Sequence, residues 1–333
     1  MTTVLPWHNS LWQQVLRSKQ QNRLPHALLL CGPQGMGKAL FARRLIEMLL
    51  CEQPQTEGLP CGHCKPCHLL RAETHPDLLQ VQPAETGKQI PIDIIRNTIQ
   101  FCGMTAHYGR YQIVIVNPAE AMNRNAANSL LKLLEEPPSS TMLMLISHQP
   151  MALLATIRSR CQRLDFSRPD HQLTKTWLQS QLKNPALDAQ LLLNLSAQAP
   201  LAALTLVETK GMAKRRELFE SLIELPYGKN DPVRIAESWN KLEVAQVLQW
   251  MLGWTMDIIR YATTNQTQHF LNYDYKETLK RLAKQFYLHD LFDLLDLQQE
   301  VYQLVTGSAN VKSQGLLESL AIAWVKLGTQ HRR

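Results

Sequence analysis

The sequence of 333 residues lacks the features of exported, membrane-spanning or disulfide-stabilised chains. Its longest apolar runs, such as MLMLIS at 142–147, are far too short to span a bilayer. The first residues, MTTVLPWHNSLW, contain no basic segment followed by an apolar core, so no export signal is visible. Seven cysteines are too few for a disulfide scaffold in a chain of this length. We therefore expect a cytoplasmic protein that does not contact a membrane.

Repeats, heptads and low-complexity tracts are also missing, and the charge excess is small. The net charge of +7 permits contact with nucleic acid, but no stripe of basic and aromatic residues or groove-reading motif stands out. A mildly basic surface without a nucleic-acid partner explains the same charge equally well. The hydrophobic content of 45% is that of a globular protein, and the length indicates two or three domains.

Residues 1–167 read as alternating strands and helices, the pattern of an α/β domain with a largely parallel sheet. Short apolar runs predict strands, and 3.6-residue periodicity predicts helices at 39–50 and 126–136. The predicted strands are HALLLC at 26–31, YQIVIVN at 111–117, TMLMLIS at 141–147 and RCQRLDF at 160–166.

The pattern becomes helical almost throughout from Asp170 onward, with breaks near Lys210-Gly211 and at LPYG, 225–228. We predict three domains: an α/β domain at 1–167, a small helical domain at 168–209 and a second helical domain at 210–333.

A phosphate-binding loop follows the first predicted strand. In CGPQGMGKA, Gly32, Gly35, Gly37 and Lys38 supply its glycines and its lysine. Backbone amides of such a loop point at phosphate oxygens, and the lysine adds a point charge. The residue after the lysine is Ala39, where a working loop has a hydroxyl to hold Mg²⁺.

The second predicted strand lacks the acids that a hydrolytic site requires. Asn117 and Pro118 stand where a working site has a metal-binding aspartate and a glutamate that activates water. We therefore expect no ATP hydrolysis by this chain alone. The loop either keeps weak nucleotide binding or serves only to join strand to helix.

Four cysteines, Cys51, Cys61, Cys64 and Cys67, form C-x9-C-x2-C-x2-C within 51–67. Two thiolates presented by each C-x-x-C turn suit tetrahedral zinc, so we predict a structural Zn²⁺ site. Four cysteines leave no open position for catalysis. A redox pair or free thiols are the alternatives, and His63 and His68 are possible substitute ligands.

Four passages together resemble the AAA+ clamp-loader family of bacterial DNA polymerase III. They are HALLLCGPQGMGKA, CGHCKPC with RAETHPDLL, AANSLLKLLEEPP, and LLATIRSRCQRLDF. The resemblance covers the N-terminal two-thirds clearly, and the last third mainly through LVTGSANVKSQGLLESL. It implies an α/β AAA+ domain, an all-α lid and an all-α collar that assembles a ring fragment with gamma or tau and delta subunits.

The resemblance also implies a role for Ser159-Arg160-Cys161. In the family, this arginine reaches the ATP site of the next subunit, so Arg160 would be a trans arginine finger on gamma or tau, with Ser159 and Cys161 shaping the turn. The implied function is a non-hydrolysing subunit of the polymerase holoenzyme, a nucleotidyltransferase complex, that helps load the sliding clamp onto primed DNA.

One departure from the family affects nucleotide binding. The segment SAQAPLAAL at 196–204 lacks the ATP-sensing arginine that relatives carry at the start of a lid helix. Two other classes remain as alternatives: a self-sufficient ATPase like the gamma motor subunit, and a zinc-containing DNA-binding repair module.

Overall fold

A computed structural model describes residues 4–55, 57–85, 87–109, 111–307 and 311–329. Ser308, Ala309 and Asn310, which belong to one of the family-like passages, lie outside the described residues. The chain divides into two compact units, Met1–Thr174 and Lys175–Arg333.

The first unit is built on five parallel strands in the order β2-β3-β4-β1-β5. In chain order the strands are β1 Ala27–Cys31, β2 Leu78–Val81, β3 Gln112–Val116, β4 Thr141–Ser147 and β5 Gln162–Asp165. Every residue of β1 and β4 is buried, as expected for apolar strands with both faces of the sheet covered.

Helices connect the strands of this unit. They are α1 Asn9–Gln20, α2 Lys38–Leu50, α3 Lys65–Arg71, α4 Ile92–Cys102, α5 Arg124–Glu135 and α6 Ala155–Arg158. On one face of the sheet, Leu29, Val114 and Leu145 join Leu130 of α5 and Ile95 of α4 in a single apolar core. This packing fixes the two ends of each strand, where the phosphate loop and Arg160 lie.

Two sequence expectations about the sheet were wrong. The sequence pattern indicated four strands, and the structure adds β2, whose residue Gln80 is exposed at the sheet edge. The last strand was expected to begin at Arg160 but begins at Gln162. Cys161 is buried in the turn before the strand, so its apolar character reflects turn packing and not strand pairing.

The second unit is helical. Its helices are α7 His171–Gln181, which crosses the boundary between the units, α8 Ala189–Leu195, α9 Pro200–Glu208, α10 Gly211–Glu224, α11 Pro232–Asn240, α12 Val244–Thr264, α13 Lys276–Gln285, α14 Leu288–Thr306 and α15 Ser313–Thr329. The predicted fold class, a parallel α/β AAA+ sheet followed by all-α segments, is confirmed.

The lid and collar predicted at 168–209 and 210–333 share one hydrophobic core, in which Leu192 and Leu206 belong to the same cluster as Trp254 and Trp324. Their boundary therefore stays a prediction. No single helix in the described part of the chain is long and apolar enough to cross a membrane; α8 and α9 meet that test only as a pair bent by 104°.

One buried cation lies within this helical core. Arg215 of α10 is fully buried, and its guanidinium donates hydrogen bonds of 2.6 Å to Asp274 and 2.7 Å to Asn272. The guanidinium carbon also lies 4.6 Å from the ring centre of Tyr275. Carboxylate, amide and aromatic face together replace part of the water that this charge loses on burial, and the buried Nε has no hydrogen-bond partner among the described residues.

Candidate functional site

The phosphate loop occupies residues 32–37, between β1 and α2. Gly32 has φ of 147°, and a Cβ there would lie 2.4 Å from the carbonyl oxygen of Phe166. Gly37 has φ of 88°, and a Cβ there would lie 2.4 Å from Leu5. Both positions therefore require glycine, and Gly35 is also in the left-handed region, with φ of 80°. The backbone keeps the shape of a phosphate loop.

The lysine of this loop is turned back on the loop itself. Lys38 is 3% exposed, and its Nζ donates hydrogen bonds of 2.5 Å to the carbonyl oxygen of Gly32 and 2.7 Å to that of Pro33. Burial lowers the pKa of Lys38 to about 8, while the nearby carboxylate of Glu120 acts in the opposite direction. The amine that would contact a phosphate is committed to two backbone carbonyls.

The N-terminal segment covers the same loop. Trp7 Nε1 donates a hydrogen bond of 3.0 Å to the carbonyl oxygen of Met36, and His8 Nε2 lies 2.8 Å from the same atom. The His8 ring also makes edge contacts with Phe41 and Phe166. Burial lowers the pKa of His8, so the neutral ring is favoured.

Beyond the carboxyl end of β3, the structure adds a residue that the sequence analysis missed. Glu120 Oε1 accepts hydrogen bonds from the backbone N–H of His148, at 2.8 Å, and of Gln149, at 3.2 Å. Burial and the nearby Lys38 lower the pKa of His148. The one sequence feature that could have pointed to Glu120 is that it is an acidic residue three positions after Asn117. Glu120 therefore links the segment after β3 to the segment after β4 through these hydrogen bonds. Asn117 and Pro118 supply no carboxylate at this position.

Arg160 lies near the amino ends of the strands, opposite the carboxyl ends where the phosphate loop lies. It stands in the turn between α6 and β5, two residues before Gln162, and Gln162 pairs with Leu28 of β1. The phosphate loop begins at the other end of β1, after Cys31. At about 3.3 Å per residue, roughly 15–20 Å separate Arg160 from its own phosphate loop.

The turn around Arg160 is held by its neighbours. Ser159 Oγ donates a hydrogen bond of 3.1 Å to the carbonyl oxygen of Thr156. Cys161 is buried, and burial raises the pKa of its thiol to about 12, so it is an inert apolar side chain in this turn. The Arg160 side chain is 36% exposed and forms an ion pair with Glu135.

The four cysteines of the predicted metal site meet in space. The sulfurs of Cys51, Cys61, Cys64 and Cys67 all lie within 4.8 Å of one another. The Cys51–Cys64 and Cys61–Cys67 sulfur pairs are each 4.0 Å apart. A zinc ion with bonds of about 2.3 Å places tetrahedral sulfurs roughly 3.8 Å apart, so the donor set fits Zn²⁺.

Backbone amides donate hydrogen bonds to two of the four sulfurs, while burial raises the pKa of Cys51 and Cys67. The Cys61 N–H donates to Cys51 Sγ at 3.2 Å, and the Cys64 N–H donates to Cys61 Sγ at 3.4 Å. Hydrogen bonding from the backbone of His63, and secondarily of Cys64, lowers the pKa of Cys61 to about 6. All seven cysteines are free of disulfides.

The cysteine cluster is anchored to the helices beside the sheet. Cys51 directly follows α2, and Cys64 and Cys67 lie at the start of α3. The intervening loop packs on α1, where Trp12 Nε1 donates a hydrogen bond of 3.1 Å to the carbonyl oxygen of Glu57. The thirteen residues of α2 separate the cluster from Lys38 by about 20 Å. The predicted site residues therefore form three separate groups: phosphate loop, cysteine cluster and arginine turn.

Family models and sequence relatives assign both parts of this chain to subunits of DNA polymerase III. A family model described as DNA polymerase III, delta subunit, matches residues 7–170, and one described as the C-terminal part of that subunit matches 209–326. The DNA polymerase III subunit delta' of Pseudomonas aeruginosa is 37% identical over 98% of this chain and 99% of its own length. The Escherichia coli subunit delta' is 34% identical over 77% of this chain and 76% of its own.

Solved structures add a distant likeness. A gamma subunit-related protein of DNA polymerase III from Thermotoga maritima covers 95% of this chain and 99% of its own, with a TM-score of 0.44 and 16% identity.

A parallel sheet with a phosphate loop between β1 and α2, followed by a helical unit, is the architecture of an AAA+ protein. Both family models fall within that architecture, and the Pseudomonas aeruginosa match spans both units. The chain belongs to the delta-prime subunit family of the DNA polymerase III clamp loader.

Proposed function

We propose that this chain is a non-hydrolysing clamp-loader subunit that lends Arg160 to the ATP site of a neighbouring gamma or tau subunit. In that role it helps load the sliding clamp onto primed DNA. Its own phosphate loop binds nucleotide weakly or not at all. Assembly with gamma or tau and delta subunits takes place in the cytoplasm.

The observation that carries this proposal is the separation of Arg160 from its own phosphate loop. The phosphate loop follows the carboxyl end of β1 and Arg160 precedes the amino end of the adjacent β5, so the two lie roughly 15–20 Å apart, which is farther than an arginine side chain can span. A guanidinium at the amino ends of the strands can reach a phosphate only if another subunit presents it. Its planar fork suits the oxygens of a phosphoryl group as charge develops during transfer.

The state of the phosphate loop supports the non-hydrolysing half of the proposal. Ala39, Asn117 and Pro118 offer no ligand to Mg²⁺ and no base to water. Lys38 is engaged by Gly32 and Pro33. A self-sufficient ATPase needs a ligand for Mg²⁺, a base for water and a lysine free to contact phosphate. ATP hydrolysis is therefore expected at a neighbour's site.

Zinc is proposed as a structural group only. Cys51, Cys61, Cys64 and Cys67 would hold it and complete its coordination, which leaves no position for a substrate. Bound zinc would supply cross-linking of the segment after α2 to the start of α3, and no step in ATP turnover.

The test is ATP turnover by the purified chain, alone and then mixed with its own gamma or tau and delta subunits, clamp and primed DNA. We expect no turnover alone and stimulated turnover in the mixture. Arg160→Ala should leave assembly intact and lower hydrolysis at the neighbouring site by about a thousandfold or more, because an arginine finger contributes roughly 10³–10⁵ to kcat.

Arg158→Ala is the matched control, because Arg158 lies two residues earlier and its Nη1 contacts Met151 Sδ at 3.1 Å. It should keep wild-type turnover. Unchanged turnover in Arg160→Ala would refute the finger. Mg²⁺-dependent turnover by the isolated chain, abolished by Lys38→Ala, would move the assignment to an active motor.

A further inference from the structure

The guanidinium of Arg160 contacts two groups of its own chain. Its Nη2 lies 2.5 Å from Oε1 of Glu135, and its Nη1 donates a hydrogen bond of 3.2 Å to the carbonyl oxygen of Thr156. These are the two terminal nitrogens of the guanidinium. Both would have to turn to phosphate oxygens if Arg160 acted on a neighbour's nucleotide.

Glu135 holds a defined place opposite this arginine. It is the last residue of α5, and two prolines, Pro137 and Pro138, follow shortly after it and prevent the helix from continuing. The end of α5 is tied to the sheet because His26 Nε2 lies 3.1 Å from the carbonyl oxygen of Leu134. A helix carboxyl end carries partial negative charge, which adds to the attraction of the Glu135 carboxylate for a cation.

We propose that Glu135 is a positioning residue that holds the Arg160 guanidinium until the phosphate of a neighbour's nucleotide replaces it. The inference rests on the proposed trans role of Arg160. Carboxylate and phosphate bind a guanidinium through the same fork of N–H donors, so the two anions compete for one group. The exchange moves an ion pair from within the chain to the subunit interface and breaks no covalent bond.

The exposure of the pair makes the exchange feasible. The Arg160 side chain is 36% exposed and that of Glu135 is 50% exposed, so water screens their attraction. Ion pairs of this kind are weak, and the held state would reduce the availability of Arg160 by only about two- to fivefold. A fully buried pair would hold the arginine too firmly for a nucleotide to compete.

The experiment compares Glu135→Gln with Glu136→Gln in the complete complex with its own partner subunits, clamp and primed DNA. Glu136 is the adjacent exposed carboxylate and makes no salt bridge among the residues that the structure describes. The measured quantity is kcat/KM for ATP, from which the value of the Arg160→Ala complex is subtracted. Because kcat/KM reports the free-energy difference between the free complex with ATP and the transition state, it includes the cost of releasing Arg160 from Glu135.

Glu135→Gln should raise the Arg160-dependent kcat/KM about two- to fivefold at low salt. The gain should shrink as salt rises and disappear in Glu135→Gln/Arg160→Ala, whereas Glu136→Gln should match wild type. A purely structural effect of the substitution would persist without Arg160. Circular dichroism melting of each variant checks that folding is preserved.

Two outcomes would overturn the inference while leaving the finger intact. If Arg160→Ala loses turnover and Glu135→Gln equals wild type, the pair has no influence on the finger. If Glu135→Gln lowers the Arg160-dependent rate, the carboxylate orients the arginine for reaction and does not compete with phosphate. If Arg160→Ala has no effect, the proposed function itself fails, and the role of Glu135 falls with it.

Discussion

The Nζ atom of Lys38 donates a hydrogen bond of 2.5 Å to the carbonyl oxygen of Gly32, the glycine that opens the same phosphate loop. The lysine therefore closes the loop on itself. Its contribution is expected to appear in the stability of the chain and not in the turnover of the complex.

Lys38→Met keeps the length of the side chain but leaves the carbonyl oxygens of Gly32 and Pro33 without their donor. We expect the free energy of unfolding to fall by about 1–3 kcal/mol, the cost of leaving buried acceptors unpaired. Turnover by the assembled complex should be unchanged. Urea unfolding and complex ATPase assays measure the two effects.

Lys132→Met on the exposed side of α5 is the control and should change stability by less than about 0.5 kcal/mol. A Lys38→Met variant with wild-type stability and lost complex activity would indicate that the loop binds nucleotide productively.

His8 should make stability depend on pH. Burial lowers its pKa in the folded chain below the ordinary value of 6.5. The unfolded chain therefore binds the proton at a higher pH than the folded chain does. The stability that His8 contributes is present above pH 6.5 and is lost as the pH falls through 6.5 towards the folded pKa.

His8→Gln should make the chain less sensitive to acid, since the amide retains a donor for the carbonyl oxygen of Met36. The slope of unfolding free energy against pH just below 6.5 should decrease by at most about 1.4 kcal/mol per pH unit. Some slope should remain because burial also lowers the pKa of His75 and His148. Urea unfolding at several pH values measures this slope.

The exposed His171→Gln is the matched imidazole control. Equal slopes in His8→Gln and His171→Gln would contradict the assignment of this pH dependence to His8.

The sheet was predictable where burial is continuous. β4 was predicted correctly at both ends, Thr141 and Ser147, because seven consecutive buried residues give a clear signal. The start of β5 was wrong since Cys161 is buried by a turn, which sequence pattern cannot distinguish from a strand. β2 is only four residues long, and the exposed Gln80 interrupts its apolar run, so the pattern does not single it out as a strand.

The candidate functional residues also include some that the sequence could predict and some that it could not. The cysteine cluster could be predicted because its ligands are close in sequence and their spacing reflects turn geometry. The contacts of Glu120 with the backbone beyond β4 could not, because they depend on how two strand ends meet. The Arg160–Glu135 pair joins residues twenty-five positions apart (160 minus 135), and no local pattern encodes it.

Zinc should be retained by the four cysteines and not by a histidine. Cys64→Ser should weaken zinc binding by more than about a hundredfold, since loss of a ligand exceeds the effect of changes around the ligands. His63→Gln should bind zinc like wild type, because the four sulfurs complete the tetrahedron. Zinc content of the purified full chain and chelator competition measure both variants.

Loss of zinc should also free the loop that packs on Trp12. Limited proteolysis is expected to cut Cys64→Ser between Cys51 and Cys61 faster than wild type or His63→Gln. Folded wild-type protein that contains no zinc after expression in zinc-replete medium would refute the metal assignment.

Burial, and not distance, should decide what an arginine–aspartate pair contributes to stability. Arg215 and Asp274 are 2.6 Å apart, and so are Arg163 and Asp165. The Arg215 side chain is 0% exposed, whereas that of Arg163 is 45% exposed. Arg215→Met leaves the buried Asn272 and the Asp274 carboxylate, whose side chain is 25% exposed, without their partner, so it should cost up to about 3–5 kcal/mol. Arg163→Met should cost less than about 1 kcal/mol.

Chemical unfolding of the two variants in the full chain measures this contrast. Arg215→Met/Asp274→Asn should recover part of the loss, because the second substitution removes the uncompensated charge that the first one leaves. Equal costs for Arg215→Met and Arg163→Met would mean that water fully solvates the Asp274 carboxylate once the arginine is gone. The 2.6 Å contact would then be no stronger inside the helical unit than at the edge of the sheet.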